Sequence, residues 1–303
     1  MSDDQVRQIA RTVLYEGYLL YPYRPSALKN RQRFNFGVLY PASFCDPAGN
    51  DRSQLQVECP VRIAGQTTLD VSVRFLQLIE RPADFPQGDP WHDAVEREAR
   101  LDAVAPAALQ RGAAQLAFDF PGIDSMVQGE LLVKVQEMRP AVCKLTAIVR
   151  NRATSAPPDR SAALTRSLVS AHVVVTVHDG ELVSLLDPPD DVRDVADLCV
   201  NTGVWPVLVG ETTGACMLAS PIVLYDYPQI APESAGDLFD GTEIDEILAL
   251  RILTMTDEEK REARGSDERA RQILDRTESL PPEHWAKLHG AVRGMRKLGV
   301  DVS

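Results

Sequence analysis

The stretch GELLVKVQEMRPAVCKLTAIVRNRA, residues 129–153, predicts two long β-strands joined by a tight turn. In its first half Leu131, Val133 and Val135 occupy every second position, which places their side chains on one face of a strand. The turn falls near Met138 to Pro140, because proline interrupts regular pairing there. The pattern predicts an antiparallel hairpin, the unit from which the rest of the sheet is expected to be built.

Other short apolar and aromatic runs, separated by Pro, Gly, Asn and Asp, predict that the sheet extends on both sides of this hairpin. In one of them Val71, Val73 and Phe75 alternate with Ser72 and Arg74, which is the period of a strand with one buried face. These runs predict strands at residues 15–23, 33–40, 55–63, 68–78, 204–209 and 216–225.

The stretch HVVVTVHDGELVSLL, residues 172–186, predicts a further hairpin. Two strand-like runs flank Asp179 and Gly180, and Asp-Gly is the dipeptide that best accepts the positive φ angles of a type I′ turn. We therefore expect the chain to reverse direction at this dipeptide. His172 and His178 then lie on one face about 20 Å apart, too far to share a metal ion.

One helix is expected to interrupt the strands. Asp89 is a candidate N-cap, Pro90 suits the first helical position, and the charged stretch WHDAVEREARL follows at residues 91–101. Its mixed charges predict a solvent-facing helix.

A helical segment is expected at the C-terminal end, where helix formers and charges become frequent. Thr242 with Asp245, and Thr256 with Glu259, resemble capping boxes that begin two helices. A last helix is expected to start at Pro282.

Residues 154–160, TSAPPDR, form the predicted linker, because paired prolines stop both helices and sheet interiors. The resulting division is a β-rich N-terminal half with one inserted helix (1–153), a second β-rich half (161–235) and a helical C-terminal segment (236–303). The predicted class is α+β, mainly an antiparallel β-sheet or sandwich with a helical C-terminal segment. Whether the two β-rich halves are separate domains stays open.

Composition restricts the expected cellular location and the classes of partner. The chain has 303 residues, 44% of them hydrophobic, and a formal net charge of −12. This length and apolar content suffice for a core. The acidic balance argues against nucleic acid, since phosphate binding requires surplus Lys and Arg. No apolar run reaches the roughly 20 residues of a membrane span, and we expect a cytoplasmic protein.

No standard catalytic, nucleotide-binding or metal-binding motif is present, and we expect no cofactor and no metal site. The five cysteines have no C-x-x-C spacing, which favours free thiols. His284 and His289 are five residues apart, not the i, i+4 spacing of a helical zinc pair. The acidic residues from Asp237 to Glu246 are open to two interpretations: oxygen ligands for a hard cation, or charges that complement a helix dipole.

The segment YEGYLLYPYRPSALKNRQRFNFGVLYP, residues 15–41, combines most of the tyrosines with several basic residues in an otherwise acidic chain. Arginine stacks on tyrosine rings, and such a segment can hold an anion or the acidic edge of a protein. A structural interpretation also stays open, with arginines extending to solvent or pairing with the protein's own acids. The candidate binding residues are Tyr21, Tyr23, Arg24, Lys29, Arg31 and Arg33.

That segment, together with SPIVLYDYPQIAPESAGDLFDGTEIDEILALRILTMTDEEK at residues 220–260, resembles uncharacterised proteins encoded in uptake nickel-iron hydrogenase gene clusters of actinobacteria and related bacteria. The two passages cover less than a quarter of the chain. The resemblance implies a cytoplasmic accessory role in assembling, maturing or docking such a hydrogenase. It carries no ligand or catalytic residue with it.

Two functions follow as hypotheses. The first is a non-enzymatic accessory, assembly or scaffold protein, whose partner is a hydrogenase subunit or maturation factor bound through aromatic and arginine anchors. The alternative is a small-molecule binding protein or enzyme that uses a Tyr/Arg-lined pocket, with His178 as a proton-transfer group. The alternative requires these distant segments to converge.

Overall fold

The computed structural model describes residues 2–15, 33–81, 91–210, 214–228, 251–266 and 268–279. Its strands are β1 Gln54–Arg81, β2 Trp91–Val104, β3 Ala114–Pro121, β4 Met126–Arg139, β5 Val142–Asn151, β6 Val169–Leu182, β7 Trp205–Val209 and β8 Cys216–Ser220. Its helices are α1 Ser2–Leu14, α2 Pro106–Arg111, α3 Arg160–Leu164, α4 Arg193–Ala196, α5 Asp257–Ser266 and α6 Glu268–Glu278.

The strands of the described residues form one antiparallel sheet in the order β3-β4-β5-β1-β6-β8-β7, with β2 attached to β1. The 28-residue strand β1 is its centre. Residues 54–62 of β1 pair with β5, residues 69–81 pair with β2, and residues 61–76 pair with β6. Strands β5 and β2 therefore follow each other along one side of β1, with β6 on the other side.

The main core lies on one face of this sheet and is made by alternate residues of β1, β4, β5 and β6. Phe75 of β1 packs against Phe118 and Phe120 of β3, with ring centroids 5.8 and 5.6 Å apart. The opposite face carries polar groups, α1 and the C-terminal helices, whereas Leu109 of α2 belongs to the main core. The predicted α+β class and the hairpin of residues 129–151 are confirmed.

Helices cover two parts of the opposite face. Val6, Ile9 and Val13 of α1 pack against β7 and β8. Residues of the C-terminal helical segment pack with Leu76 and Leu78 of β1, and these are Ile252, Met255, Ala263, Ala270, Ile273 and Leu274. Within the described residues no helix is long and apolar enough to cross a membrane.

The predicted capping box at Thr256 is confirmed. The Thr256 backbone N–H donates to the Glu259 carboxylate at 2.9 Å, and the Glu259 N–H donates back to Thr256 Oγ1 at 3.2 Å. The pair at Thr242 and Asp245 and the helix at Pro282 lie outside the described residues.

The predicted turn at Asp179-Gly180 is wrong, because β6 continues through both residues. Asp179 does have a positive φ of 53°, but it belongs to a register shift between β1 and β6, where the Asp179 carbonyl accepts a bond from Thr67 Oγ1. Gly180 is required by close packing, since a Cβ there would lie 2.7 Å from the carbonyl oxygen of Arg62. A bulge and a turn thus share the same dipeptide signature.

The predicted helix at residues 91–101 is also wrong, because this stretch forms β2. Among the strands that the structure describes, β2 pairs with β1 alone, so it is an edge strand whose solvent-facing positions accept charged residues. Ala99 is buried, while Glu98 and Arg100 on either side are exposed. Pairing with β1 overrides the helical propensity of Glu, Ala and Arg.

Other predicted strands also differ from the structure. Residues 55–63 and 68–78 are one strand, because the intervening residues form a register shift instead of a turn. Residues 33–40 form an irregular segment in which Leu39 makes isolated bridges to Arg52 and to Leu168. Of residues 15–23 only Tyr15 is described, and it directly follows α1, a helix that the sequence pattern did not predict.

The division of the chain at residues 154–160 stays a prediction. Strand β6, which follows this segment, pairs with β1, which precedes it.

Two buried histidines should make the free energy of unfolding depend on pH. Burial, together with nearby arginines, lowers the pKa of His92 and of His172 to about 4. Between pH 6.5 and 4 the unfolded chain takes up protons that the folded protein rejects, so stability is complete above pH 6.5 and falls below it. We expect a loss of about 2 kcal/mol per histidine between pH 7 and pH 5.

Urea unfolding at a series of pH values measures this loss. In His172→Gln about half of the decrease should disappear. An unchanged slope in that variant would show that His172 is not a source of the effect.

Candidate functional site

The described end of the Tyr/Arg segment lies against the start of β6. The Leu39 N–H donates to the Leu168 carbonyl at 2.9 Å, and the Ala171 N–H donates to the Gly37 carbonyl at 2.9 Å. On the other side, the Tyr40 N–H donates to the Arg52 carbonyl at 2.8 Å. Residues 33–40 are therefore held by backbone bonds without forming a regular strand.

Arg33 is the one predicted binding residue that the structure describes. It is buried, its Nη2 donates to the His92 carbonyl at 3.2 Å, and its guanidinium carbon lies 4.7 Å from the centre of the Phe34 ring. Tyr21, Tyr23, Arg24, Lys29 and Arg31 lie outside the described residues. Their role in binding stays a prediction.

Arg160 organises this segment, although the sequence pattern did not single it out. Asp159 caps helix α3 by accepting from the Ala162 N–H, which fixes the position of Arg160. Arg160 Nη2 then donates to the carbonyls of Arg33 and Phe34 at 2.9 and 3.1 Å. Phe34 has a φ of +62°, which is rare for a bulky residue, so these bonds hold a strained backbone.

Beside this segment lies an open groove with a volume of about 620 Å³. Phe36 and Trp205 line it, and both are exposed, at 39% and 49%. The side chains of Arg52 and Arg160 also line it. The groove thus combines two accessible aromatic rings with two guanidinium groups, and we name it the aromatic groove.

Trp205 lies at the open end of edge strand β7. Beyond it Pro206 has no N–H, and both backbone groups of Leu208 are bonded: its N–H donates to Asp226 Oδ1 and its carbonyl accepts from the Tyr227 N–H, each at 2.7 Å. This closes the strand edge to pairing with another strand. Recognition at this position therefore depends on the Trp205 ring.

A buried carboxylate holds the neighbouring wall in place. Glu58 accepts from the Val200 N–H at 2.9 Å, from Lys144 Nζ at 3.1 Å and from Thr146 Oγ1 at 3.0 Å. Burial alone would raise the pKa of Glu58, but these donors lower it below its ordinary value. The Asn201 side chain bonds to both backbone groups of Glu58: it accepts from the Glu58 N–H and donates to the Glu58 carbonyl.

Tyr40 is a neutral part of the wall. Burial raises the pKa of its hydroxyl above the ordinary value, and the nearby Arg160 opposes that rise only in part. The Tyr40 ring packs against Phe44, with centroids 5.1 Å apart. Its role in the groove is to supply shape and packing.

Within the described residues, the structure does not bring His178 to Arg33. Arg33 contacts β2 at His92, which pairs with Glu80, whereas His178 pairs with Thr68. Twelve positions of β1 separate the two pairs, roughly 40 Å along the strand. His178 bonds to Asp70 instead, at 3.0 Å.

Four of the five thiols are poor nucleophiles at neutral pH. None of the five cysteines forms a disulfide, and burial raises the pKa of Cys45, Cys59, Cys143 and Cys199, the last to about 11. Among the residues that the structure describes, no three His, Cys, Asp or Glu side chains are placed to hold a metal ion. The acidic residues 237–246, His284 and His289 lie outside that set.

Comparison with known proteins gives no assignment. No protein-family model matches the chain, and no curated protein sequence matches it.

Gly37 is expected to be essential for the aromatic groove. Its φ is +56°, and a Cβ there would lie 2.6 Å from Pro221 Cγ. Gly37→Ala should therefore lower the free energy of unfolding by more than about 2 kcal/mol, through backbone strain and a clash. Chemical denaturation measures the change.

The matched control is Gly112→Ala. Gly112 is extended, with a φ of −177°, and a Cβ there meets no atom within 4 Å. Its effect should stay within about 0.5 kcal/mol. Equal stabilities for the two variants would contradict the packing assigned to Gly37.

Proposed function

We propose that this chain is a non-enzymatic accessory or scaffold protein of the cytoplasm that binds a subunit or maturation factor of a nickel-iron hydrogenase through the aromatic groove. The observation that carries the binding proposal is the exposure of Phe36 and Trp205 in one groove beside Arg52. Trp and Arg are the residues that most often dominate the energy of a protein interface.

The resemblance of residues 15–41 and 220–260 supplies the class of partner. Phe36, Gly37 and Tyr40 belong to the first of these passages, and Pro221 belongs to the second. All four residues line the aromatic groove, together with Trp205. The two passages that carry the resemblance therefore contribute to the same surface.

The state of the reactive groups also supports binding in preference to chemistry. His92 and His172 are buried, with pKa values lowered to about 4, and are neutral at physiological pH. The raised pKa values of four thiols keep those groups protonated. The aromatic groove presents rings, guanidinium groups and amides, which suit recognition of a protein surface.

Affinity purification from a host grown under hydrogenase-inducing conditions tests the proposal. The wild-type chain should retain a hydrogenase subunit or maturation factor, identified by mass spectrometry. Trp205→Ala should weaken that complex by about 2 kcal/mol, roughly thirtyfold in the dissociation constant, because the exposed ring is a main anchor. Phe36→Ala should act in the same direction.

The control is Ile123→Ala. Ile123 is more exposed than Trp205 and lies in the β3–β4 turn, at the opposite end of the strand order. This variant should retain the partner at wild-type level. Recovery of the wild-type chain without a hydrogenase component would reject the proposal and favour the small-molecule alternative.

A further inference from the structure

A second cavity of about 270 Å³ lies on the polar face of the sheet, between β2, β1, β6, helix α1 and the adjoining ends of β7 and β8. It shares no lining residue with the aromatic groove. Its charged walls come from Asp70, Arg74, Glu98, Arg100 and His178, among others. We name it the ionic cleft.

Asp70 anchors one end of the ionic cleft. Its side chain is only 14% exposed and accepts three bonds: from the Ala103 N–H at 2.7 Å, from Arg100 Nη2 at 2.8 Å and from His178 Nε2 at 3.0 Å. Burial would raise the pKa of Asp70, but these donors lower it. Asp70 is therefore an ionised structural group whose bonding capacity is already used.

Because Nε2 of His178 faces the Asp70 carboxylate, the neutral ring carries its proton on that nitrogen and leaves Nδ1 as an acceptor. The His178 side chain is 53% exposed, and no described residue bonds to Nδ1. Asp70 thus orients a free ring nitrogen at the cavity, as a carboxylate orients the histidine of an acid-base pair.

The other end of the ionic cleft has opposite charges that are not matched to each other. Arg74 and Glu98 are direct partners across β1 and β2, yet Arg74 Nη2 contacts Glu96 instead, at 3.5 Å. The remaining nitrogens of Arg74 have no partner in the part of the chain that the structure describes. The same holds for the exposed Glu98 carboxylate and for the hydroxyl of Ser72, two positions before Arg74 on the same face.

These groups define one class of ligand. Free guanidinium nitrogens and a hydroxyl favour a carboxylate, which takes bidentate bonds from Arg. The free carboxylate of Glu98, next to Arg74, favours an ammonium group with its three donors. The volume equals roughly nine water molecules at ~30 Å³ each, which suits a ligand of about that many non-hydrogen atoms.

We propose that the ionic cleft binds a small zwitterion of the amino-acid type, with the ligand carboxylate on Arg74 and Ser72 and its ammonium group on Glu98. This site is separate from the aromatic groove and does not depend on the proposed partner. The chain would then bind a small molecule in the ionic cleft and a protein at the aromatic groove.

Calorimetric titration of the purified full-length chain tests the site, with the standard amino acids added one at a time. Two further probes each carry charge of one sign only. Succinate has carboxylates and no amine, and putrescine has amines and no carboxylate. At least one amino acid should bind with a dissociation constant below about 1 mM, and at least about tenfold more tightly than either probe. Glu98→Gln and Arg74→Gln should each weaken that amino acid at least about tenfold.

Glu98→Gln is the decisive variant, because no described residue pairs with this carboxylate and the fold does not depend on it. The matched controls are Glu137→Gln and Arg111→Gln, two exposed residues outside the ionic cleft, which should leave affinity unchanged. Two results would overturn the proposal. One is the absence of any amino-acid binding, and the other is succinate binding that strengthens in Glu98→Gln, which would identify a simple anion site.

Discussion

The pairing of strand β1 with three other strands is the constraint on which the rest of the structure depends. At ~3.3 Å per residue its 28 residues would extend roughly 90 Å, far more than a compact domain of this size can hold. The register shifts at residues 63–68, 69–71 and 74–76 relieve this length, because bulges bend a strand and increase its twist. The bent strand can then exchange β5 for β2 along one side and still contribute alternate residues to one core.

The buried carboxylate of Glu58 and the partly buried carboxylate of Asp70 lie on the polar face of β1 and make this strand a support for both cavities. Glu58 and Asp70 each accept one backbone N–H, one bond from a cationic side chain and one further side-chain bond. A buried charge without such donors would cost several kcal/mol, so each carboxylate requires the elements around it. Glu58 thereby fixes residues 200–201 beside the aromatic groove, and Asp70 fixes β2 and β6 around the ionic cleft.

Local patterns predicted the parts of the fold that local chemistry controls. The hairpin of residues 129–151 combines strict alternation with a proline turn, and the Thr256 capping box needs only four consecutive residues. The predictions were wrong where pairing with a strand distant in sequence determines the local structure. β1 pairs with residues 91–104 and makes a strand of a sequence with helical propensity, and it converts Asp179 from a turn residue into a bulge residue. The candidate site was missed for the same reason: Arg52, Arg160 and Trp205 are far apart in sequence, and only the Tyr/Arg segment beside them had a signal.

The two cavities differ in the size of ligand that each can select. In the aromatic groove the accessible groups are rings held at the rim by a closed strand edge and by backbone bonds to residues 33–40, so contact area grows with the size of the partner. In the ionic cleft the accessible groups are charges within a cavity of about 270 Å³, where only a compact ligand can contact all of them.

Both cavities are lined by residues of β1, but roughly along opposite halves of this strand. A ligand in the ionic cleft would stiffen the contact between β2, β6 and α1, and α1 packs on β7, the strand that begins with Trp205. Strand β7 connects the two cavities directly, because Trp205 at its start lines the aromatic groove and Val209 at its end lines the ionic cleft.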